Sequence, residues 1–429
     1  MAFVVTLAAA DADSTSVAAD DGVGVGAVGG KGASLAELAR AGVAVPPGFA
    51  VTVSAFAAAM TAIDPDGARR AEIEALPAED LARIAAAAAR FRAVVTGTPL
   101  PDDVAAAITD YYAALGAAGV GPWGDGSPAG DGPEVAVRSS ATVEDSAEAS
   151  FAGLQDTYLG VSGAGPVLEH VRRCWASLYN DESVAYRRRL GLPEAGVAMA
   201  VVVQRMVAPR AAGVMFTRSP VTGDRSVVAI EATWGLGSAL VSGDVTPDAW
   251  VVSKVTGEIT ARRISSKDKI HGYIPNGGPG GADHAGDADH AGGAGEQGGV
   301  MGRVTVRDTP ADLREAPCLT DEEIRALAAV ARRVEAHYGA PQDIEWAVLG
   351  TPFVRADAGS AGLDPPGSRD PGTGSLGPGS LGPDAPAESR VVLLQSRPET
   401  VWAARDSKPA GSPKPRAADH VLTLFGKPL

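Results

Sequence analysis

The chain has 429 residues, 45% of them hydrophobic, enough for a substantial core in two or three domains or in one large two-lobed unit. A formal net charge of −15 and a pI near 4.9 argue against nucleic-acid or membrane-surface binding, because both partners are themselves anionic. A polyanionic small ligand stays open, since a site can be locally basic on an acidic protein.

The opening run MAFVVTLAAADADS has no basic n-region and reads as a first strand or frayed terminus rather than a signal peptide. No apolar stretch approaches the roughly 18 residues of a membrane span. Cys174 and Cys318 are far apart and form no CxxC, so a reducing, cytoplasmic compartment is the simple reading.

Helical spacing is expected over 31–41, 79–97, 101–116 and 166–190. Another helix follows Leu319, where Thr320 and Glu323 make a T-x-x-E capping box and Gly339 can end the helix. Strands are expected at 134–138, 197–207, 211–217, 226–232, 249–254, 344–349 and 391–396. The stretches 117–133, 275–300 and 357–388 are too rich in Gly, Pro and polar residues to bury an apolar face, and the residues after 404 read as a tail. The pattern predicts an α+β protein with a helical-leaning lobe, a sheet-rich lobe and a cleft between them. The expected divisions are 1–195, 196–404 with loops 275–300 and 357–388, and a flexible tail at 405–429.

Three groups of residues carry chemistry. VGGKG at 28–32 precedes a helix, where glycines let backbone N–H groups approach an anion and Lys31 adds a full charge. The Walker A spacing is absent, and a plain turn is an equal alternative. Next, Arg138 ends the strand-like EVAVR and can make bidentate contact with phosphate oxygens. Ser139, Ser140 and Thr142 offer hydroxyls beside it. Glu144 and Asp145 can orient the guanidinium, and an ordinary Arg–Glu pair at a strand end is the competing reading. Farther on, Gly153 and Thr157 sit in a loop able to fold over a triphosphate. Third, alternation puts Asp343 and Glu345 on one strand face, and a hairpin with 391–396 would add Gln395 and Arg397. Carboxylate and amide oxygens suit Mg²⁺, which takes few protein ligands alongside substrate phosphates, and Arg397 can neutralise phosphate charge there. A surface strand pair with ordinary charges is the alternative. His284 and His290 in DHAGDADHAGG read as linker rather than a metal site, and Cys174 in VRRCWASLY reads as core.

VGGKGASLAELARAGVAVPPGF, VRSSATVEDSAEASFAGLQDTYLGV, GVMFTRSPVTG, WGLGSALVSGDVTPD, DIEWAV and QSRPETVW together resemble the ATP-binding module of phosphoenolpyruvate synthase, pyruvate phosphate dikinase and rifampicin phosphotransferase. SSATVEDSAEASFAG is closer to the synthase and rifampicin-enzyme branch. The resemblance runs over roughly residues 25–403 outside the three loops. It implies a two-lobed, ATP-grasp-like fold with ATP in the cleft. It also implies that Lys31, Arg138 and Arg397 hold phosphates, covered by Thr157 and the Gly153 loop. Glu345 and Gln395 would bind Mg²⁺ with Asp343 adjacent. Gln204, Met206 and Val207 would line the adenine, with Thr217, Arg218 and Glu231 as outer contacts.

In that family a phosphohistidine domain with a TSHAA-type motif follows, and then an acceptor domain. Here the chain ends soon after QSRPETVW, and none of the histidines at 170, 271, 284, 290, 337 and 420 lies in such a motif. The expectation is an ATP-binding component that passes the β-phosphoryl of ATP to a histidine on a separate partner protein. The final acceptor would be pyruvate, an antibiotic or another small molecule. A nucleotide-binding regulatory module without transfer activity and a fragment of a longer enzyme are the alternatives.

Overall fold

The computed structural model describes residues 2–8, 24–117, 132–142, 145–146, 149–150, 156–274, 303–350, 386–400 and 402. In chain order the elements begin with β1 (Val4–Ala8), α1 (Val25–Arg40), β2 (Gly48–Val51), α2 (Val53–Ile63), α3 (Ala68–Ala75), α4 (Leu81–Gly97) and α5 (Asp102–Ala117). They continue with β3 (Val135–Ala141), β4 (Asp145–Ser146), β5 (Ala149–Ser150), β6 (Thr157–Val161), α6 (Ala164–Ser177), α7 (Asp181–Leu190) and β7 (Met199–Arg205). Then come β8 (Pro209–Phe216), β9 (Val227–Trp234), α8 (Ser238–Val241), β10 (Asp248–Ser253), β11 (Ile259–Arg263), β12 (Lys269–Ile274) and β13 (Arg303–Asp308). Last are α9 (Ala311–Arg314), α10 (Asp321–Tyr338), β14 (Gln342–Leu349), α11 (Ala387–Arg390) and β15 (Val391–Pro398).

Two antiparallel sheets organise the chain. The first runs β1-β2-β7-β3-β6 and the second β11-β10-β9-β8-β14-β15. Alternation sorts each strand of the first sheet onto two faces. Phe49, Val51, Val135, Val137, Val201 and Val203 pack against helices α2 and α4–α6 through Phe56, Phe91, Ile108 and Trp175. Ala50 and Val202 point the other way, onto Val28 and Leu35 of α1. The same cluster continues into the second sheet through Ile230, Trp250, Ile344 and Trp346, and into α10 through Ile324 and Leu327. Helix α1 is therefore covered on both sides and joins the two halves.

The capping box forms as the spacing predicts: Thr320 accepts the Glu323 N–H (3.2 Å) and Glu323 accepts the Thr320 N–H (2.9 Å). Gly339 ends α10 at φ 66°, a conformation that favours glycine. Other expectations shift. The helix expected over 166–190 is two helices, because the chain turns at Leu178–Asn180 and restarts with Asp181 and Glu182 in the first turn of α7, where the helix dipole favours acid. Strand β7, just beyond the expected division at 195/196, lies inside the first sheet, hydrogen-bonded to β2 and β3. Of the loop expected over 357–388, residues 357–385 lie outside the described residues, and Ala387 and Glu388 belong to the short helix α11. The sequence reading also did not foresee α2, α3 or the β12–β13 hairpin. Among the described residues no helix is long and apolar enough to cross a membrane.

Candidate functional site

Strand β14 sets the site. Ile344, Trp346 and Val348 turn toward α10 and are essentially inaccessible, while Asp343, Glu345, Ala347 and Leu349 take the opposite face. The expected hairpin exists: β15 pairs with β14 in a register that sets Gln395 opposite Glu345 and Arg397 opposite Asp343. On the other side Glu345 faces Val214 of β8, which in turn faces Glu231 of β9. Glu231, Glu345 and Gln395 therefore stand in one rank across the sheet, and Asp343 and Arg397 form the next.

A bulge follows at once. Trp346 pairs with Leu393, so Leu394 is the extra residue on β15. Its carbonyl accepts a hydrogen bond from Arg138 Nη1 at 2.7 Å. Arg138 comes from β3 of the first sheet, and its Nη2 donates to Glu345 Oε2 (3.1 Å) and Gln395 Oε1 (2.9 Å). The Arg138 side chain is only 11% exposed, Glu345 39%. The arginine at the strand end is thus paired with a carboxylate, but the partner is Glu345 across the seam. Glu144 lies outside the described residues, as do the side chain of Asp145 and all of Gly153. Thr157, at the start of β6, sits directly opposite Arg138 and is exposed.

Lys31 lies in the first turn after a break in α1 and is half-buried. Ser34, three residues on and on the same helix face, donates to the Ser396 carbonyl at 2.6 Å, between Gln395 and Arg397. That bond, and one from Leu393 N–H to the Ala44 carbonyl (2.9 Å), tie the α1 region to β15. The lysine-bearing helix is therefore fixed against the strand that carries Gln395 and Arg397.

Asp343 and Arg397 approach to 3.6 Å. Burial pushes the Asp343 carboxyl up to about 6, and the negative charge of Glu399 adds to the rise while Arg397 opposes it. Among the described residues Asp343 Oδ1 is buried without a hydrogen-bond partner.

Of the residues expected at the adenine, Gln204 is buried with its amide donating to the Pro46 carbonyl (3.2 Å). Met206 clusters with Ala136 and Leu236, and Val207 with Ala212, Ala347, Leu349 and Val392. They lie on or beside the crossing from β7 to β8, from the first sheet to the second. Thr217 is fully buried, and its hydroxyl accepts the Gln342 N–H at 2.8 Å while its carbonyl accepts the Lys254 ammonium. Arg218 donates to the Gly223 carbonyl (2.9 Å) and stacks over Trp402. These two stitch strand ends together, whereas Glu231 stands in the rank of Glu345. Sequence reasoning missed the Leu394 carbonyl, because a bulge leaves no side-chain signature. It also missed Glu399, whose backbone bonds Pro341 and whose carboxylate accepts the Trp402 N–H.

The two sheets meet along a seam of opposed charge, with a lysine-bearing helix packed between them. Residues 25–282 and 295–417 match the family model described as pyruvate phosphate dikinase, AMP/ATP-binding domain, and the chain belongs to that family. It is 43% identical to a rifampicin phosphotransferase of a Streptomyces species over 76% of its own length and 33% of the relative. It is 39% identical to a probable phosphoenolpyruvate synthase of Methanothermobacter thermautotrophicus over 76% of its length and 42% of the relative. To a phosphoenolpyruvate synthase of Aeropyrum pernix it is 36% identical over 90% of its length and 42% of the relative. The chain thus spans less than half the length of these relatives.

Proposed function

We propose that this chain binds Mg·ATP between its two sheets and, as the nucleotide-binding component of a dikinase-type phosphotransferase, directs the β-phosphoryl group to a histidine on a partner protein. Attack of that histidine on the β-phosphorus breaks its bond to the bridging oxygen of the α-phosphate and releases AMP, and the γ-phosphoryl group goes to water as inorganic phosphate. The reading assigns an ATP-grasp-like architecture to the pair of sheets. The observation that carries it is the reach of Arg138 across the seam to Glu345, Gln395 and the Leu394 carbonyl. One cation already sits where two side-chain oxygens converge, so that pair of oxygens fits a small hard cation as well. Glu345 and Gln395 would hold Mg²⁺, with phosphate oxygens and water completing its shell. When bound, the ion spreads and neutralises charge on the phosphates.

In this reading each charged residue has a task. Arg138 and Arg397 present planar donors to phosphate oxygens, and Lys31 adds a point charge. Arg138 is held at the seam before the nucleotide arrives; exchange of its Glu345 and Gln395 contacts for phosphate oxygens would free those two oxygens for the ion and leave the guanidinium to stabilise developing charge. Thr157 lies beside Arg138 where it can cover the phosphates, and Met206 and Val207 offer the apolar wall an adenine requires. Glu231 extends the oxygen rank. The partner's imidazole supplies the nucleophile, and a small-molecule acceptor takes the phosphoryl group last.

Calorimetric titration with ATP, with and without Mg²⁺, tests this on wild type and Glu345→Ala. The expected outcome is roughly micromolar to submillimolar binding that depends on Mg²⁺, weakened at least about tenfold by the substitution. A wild-type chain that does not bind ATP would sink the proposal. Addition of a phosphohistidine-domain protein should then yield AMP, and equal phosphorylation of that protein without this chain would rule out the transfer role.

A further inference from the structure

Helix α1 is not continuous. Gly29 leaves helical geometry at φ 70°, ψ 176°, so the helix restarts at Gly30 with Gly29 in the N-cap position. An N-cap side chain ordinarily accepts the N–H three residues on, here that of Gly32. Glycine has no side chain to do so. Ser140 of β3 does it instead: its hydroxyl oxygen accepts the Gly32 N–H at 3.1 Å and its hydroxyl donates to the Val28 carbonyl at 2.8 Å. A Cβ on Gly29 would lie 2.0 Å from the Ser140 carbonyl oxygen, so the contact requires glycine both for its dihedral and for its size. Ser140 is fully buried. It stands two residues from Arg138, hence on the same face of β3.

From this geometry we infer that Ser140 is a positioning residue for Lys31, acting as an N-cap supplied from a distant strand. The inference rests on the proposed role of Lys31 at the phosphates. One short strand segment sends Arg138 to the second sheet and Ser140 into the break of α1. It thereby sets the lysine and the arginine in a fixed relation. Ser140 itself touches neither nucleotide nor metal in this scheme. Without its two hydrogen bonds the first turn, Gly30–Gly32, would fray, because two of its three residues are glycine, and Lys31 would lose its aim.

The test compares affinities for ATP and for adenosine in wild type, Ser140→Ala, Lys31→Ala and the double variant. Ser140→Ala removes both hydrogen bonds of the hydroxyl; it should weaken ATP binding about tenfold, the scale of losing buried hydrogen bonds, and leave adenosine binding within about twofold. On the Lys31→Ala background the same change should cost less than about twofold, since the residue it positions is gone. Equal losses for ATP and adenosine, or full additivity with Lys31→Ala, would show that Ser140 only supports the fold and would overturn the inference. Failure of the wild type to bind ATP would instead overturn the proposed function and this role with it. If Ser140→Ala does not fold, Ser140→Cys, close in volume and weak in hydrogen bonding, carries the same comparison.

Discussion

Two ion pairs in this protein look alike on paper and differ in what surrounds them. Lys267 and Asp248 meet at 2.7 Å and both side chains are fully buried. Asp248 also accepts the N–H groups of Ser265 (2.9 Å) and Cys318 (3.0 Å), and Lys267 donates to the Ser265 carbonyl (2.9 Å). That pair is closed: its charges are matched and backbone groups take up the remaining capacity. Arg138 and Glu345 meet at 3.1 Å with the carboxylate 39% exposed, and the guanidinium shares its donors with an amide oxygen and a bulge carbonyl. A sealed pair fastens loops together. A half-open pair whose oxygens converge from neighbouring strands can exchange its cation. Burial and hydrogen-bond completeness, rather than the presence of opposite charges, separate scaffold from site.

Substitutions sharpen the contrast. Lys267→Met leaves Asp248 buried and uncompensated, so unfolding in urea should show a loss of about 3–5 kcal/mol; a loss below about 1 kcal/mol would break the distinction. Arg138→Met should lower ATP affinity by up to about 100-fold in calorimetry while stability changes by about 1 kcal/mol, as for other solvent-screened pairs. If stability fell as far as for Lys267→Met, Arg138 would belong with the scaffold. Thr320→Ala removes one half of the capping box and should cost about 1 kcal/mol in the same urea assay with no effect on ATP affinity.

The smallest effect is in acid. Burial holds the His170 imidazole below its ordinary range. Its pKa is depressed on folding, so the unfolded chain binds the proton more readily. Stability from this group is therefore present above about pH 6.5 and is lost as pH falls through the folded value. His170→Gln should make the fall of stability between neutral and mildly acid pH shallower in urea titrations. An unchanged slope would show that His170 does not contribute. His170 bonds the Pro166 carbonyl and packs its ring on Tyr158, contacts within the helix-covered side of the first sheet, so ATP affinity at neutral pH should change less than about twofold.

Much of the site was legible because periodicity reports which face a residue takes. Asp343 and Glu345 share a face because they are two apart on a strand, and the hairpin that adds Gln395 and Arg397 was an inference from two strand-like runs. Thr320 and Glu323 cap each other three residues apart, and Gly339 closes the turn just before it, so these capping roles needed no tertiary knowledge. Thr217, expected as an outer contact, also has a packing role that spacing did not reveal: its hydroxyl holds the Gln342 N–H.

By itself, then, the sequence determined the local geometry: the strands and their faces, the long helix and its caps, and the glycines where positive φ is required. It also carried the motifs that assign the chain to its family. The tertiary structure decided who meets whom. Arg138 pairs with Glu345, 207 positions away. β7 joins the first sheet rather than the second, a bulge turns the Leu394 carbonyl toward an arginine, and Ser140 caps a helix turn through Gly32, 108 positions earlier. Alternation and spacing fix a side chain's direction relative to its own backbone. The neighbour found in that direction depends on how two sheets and one helix pack, and the whole chain contributes to that.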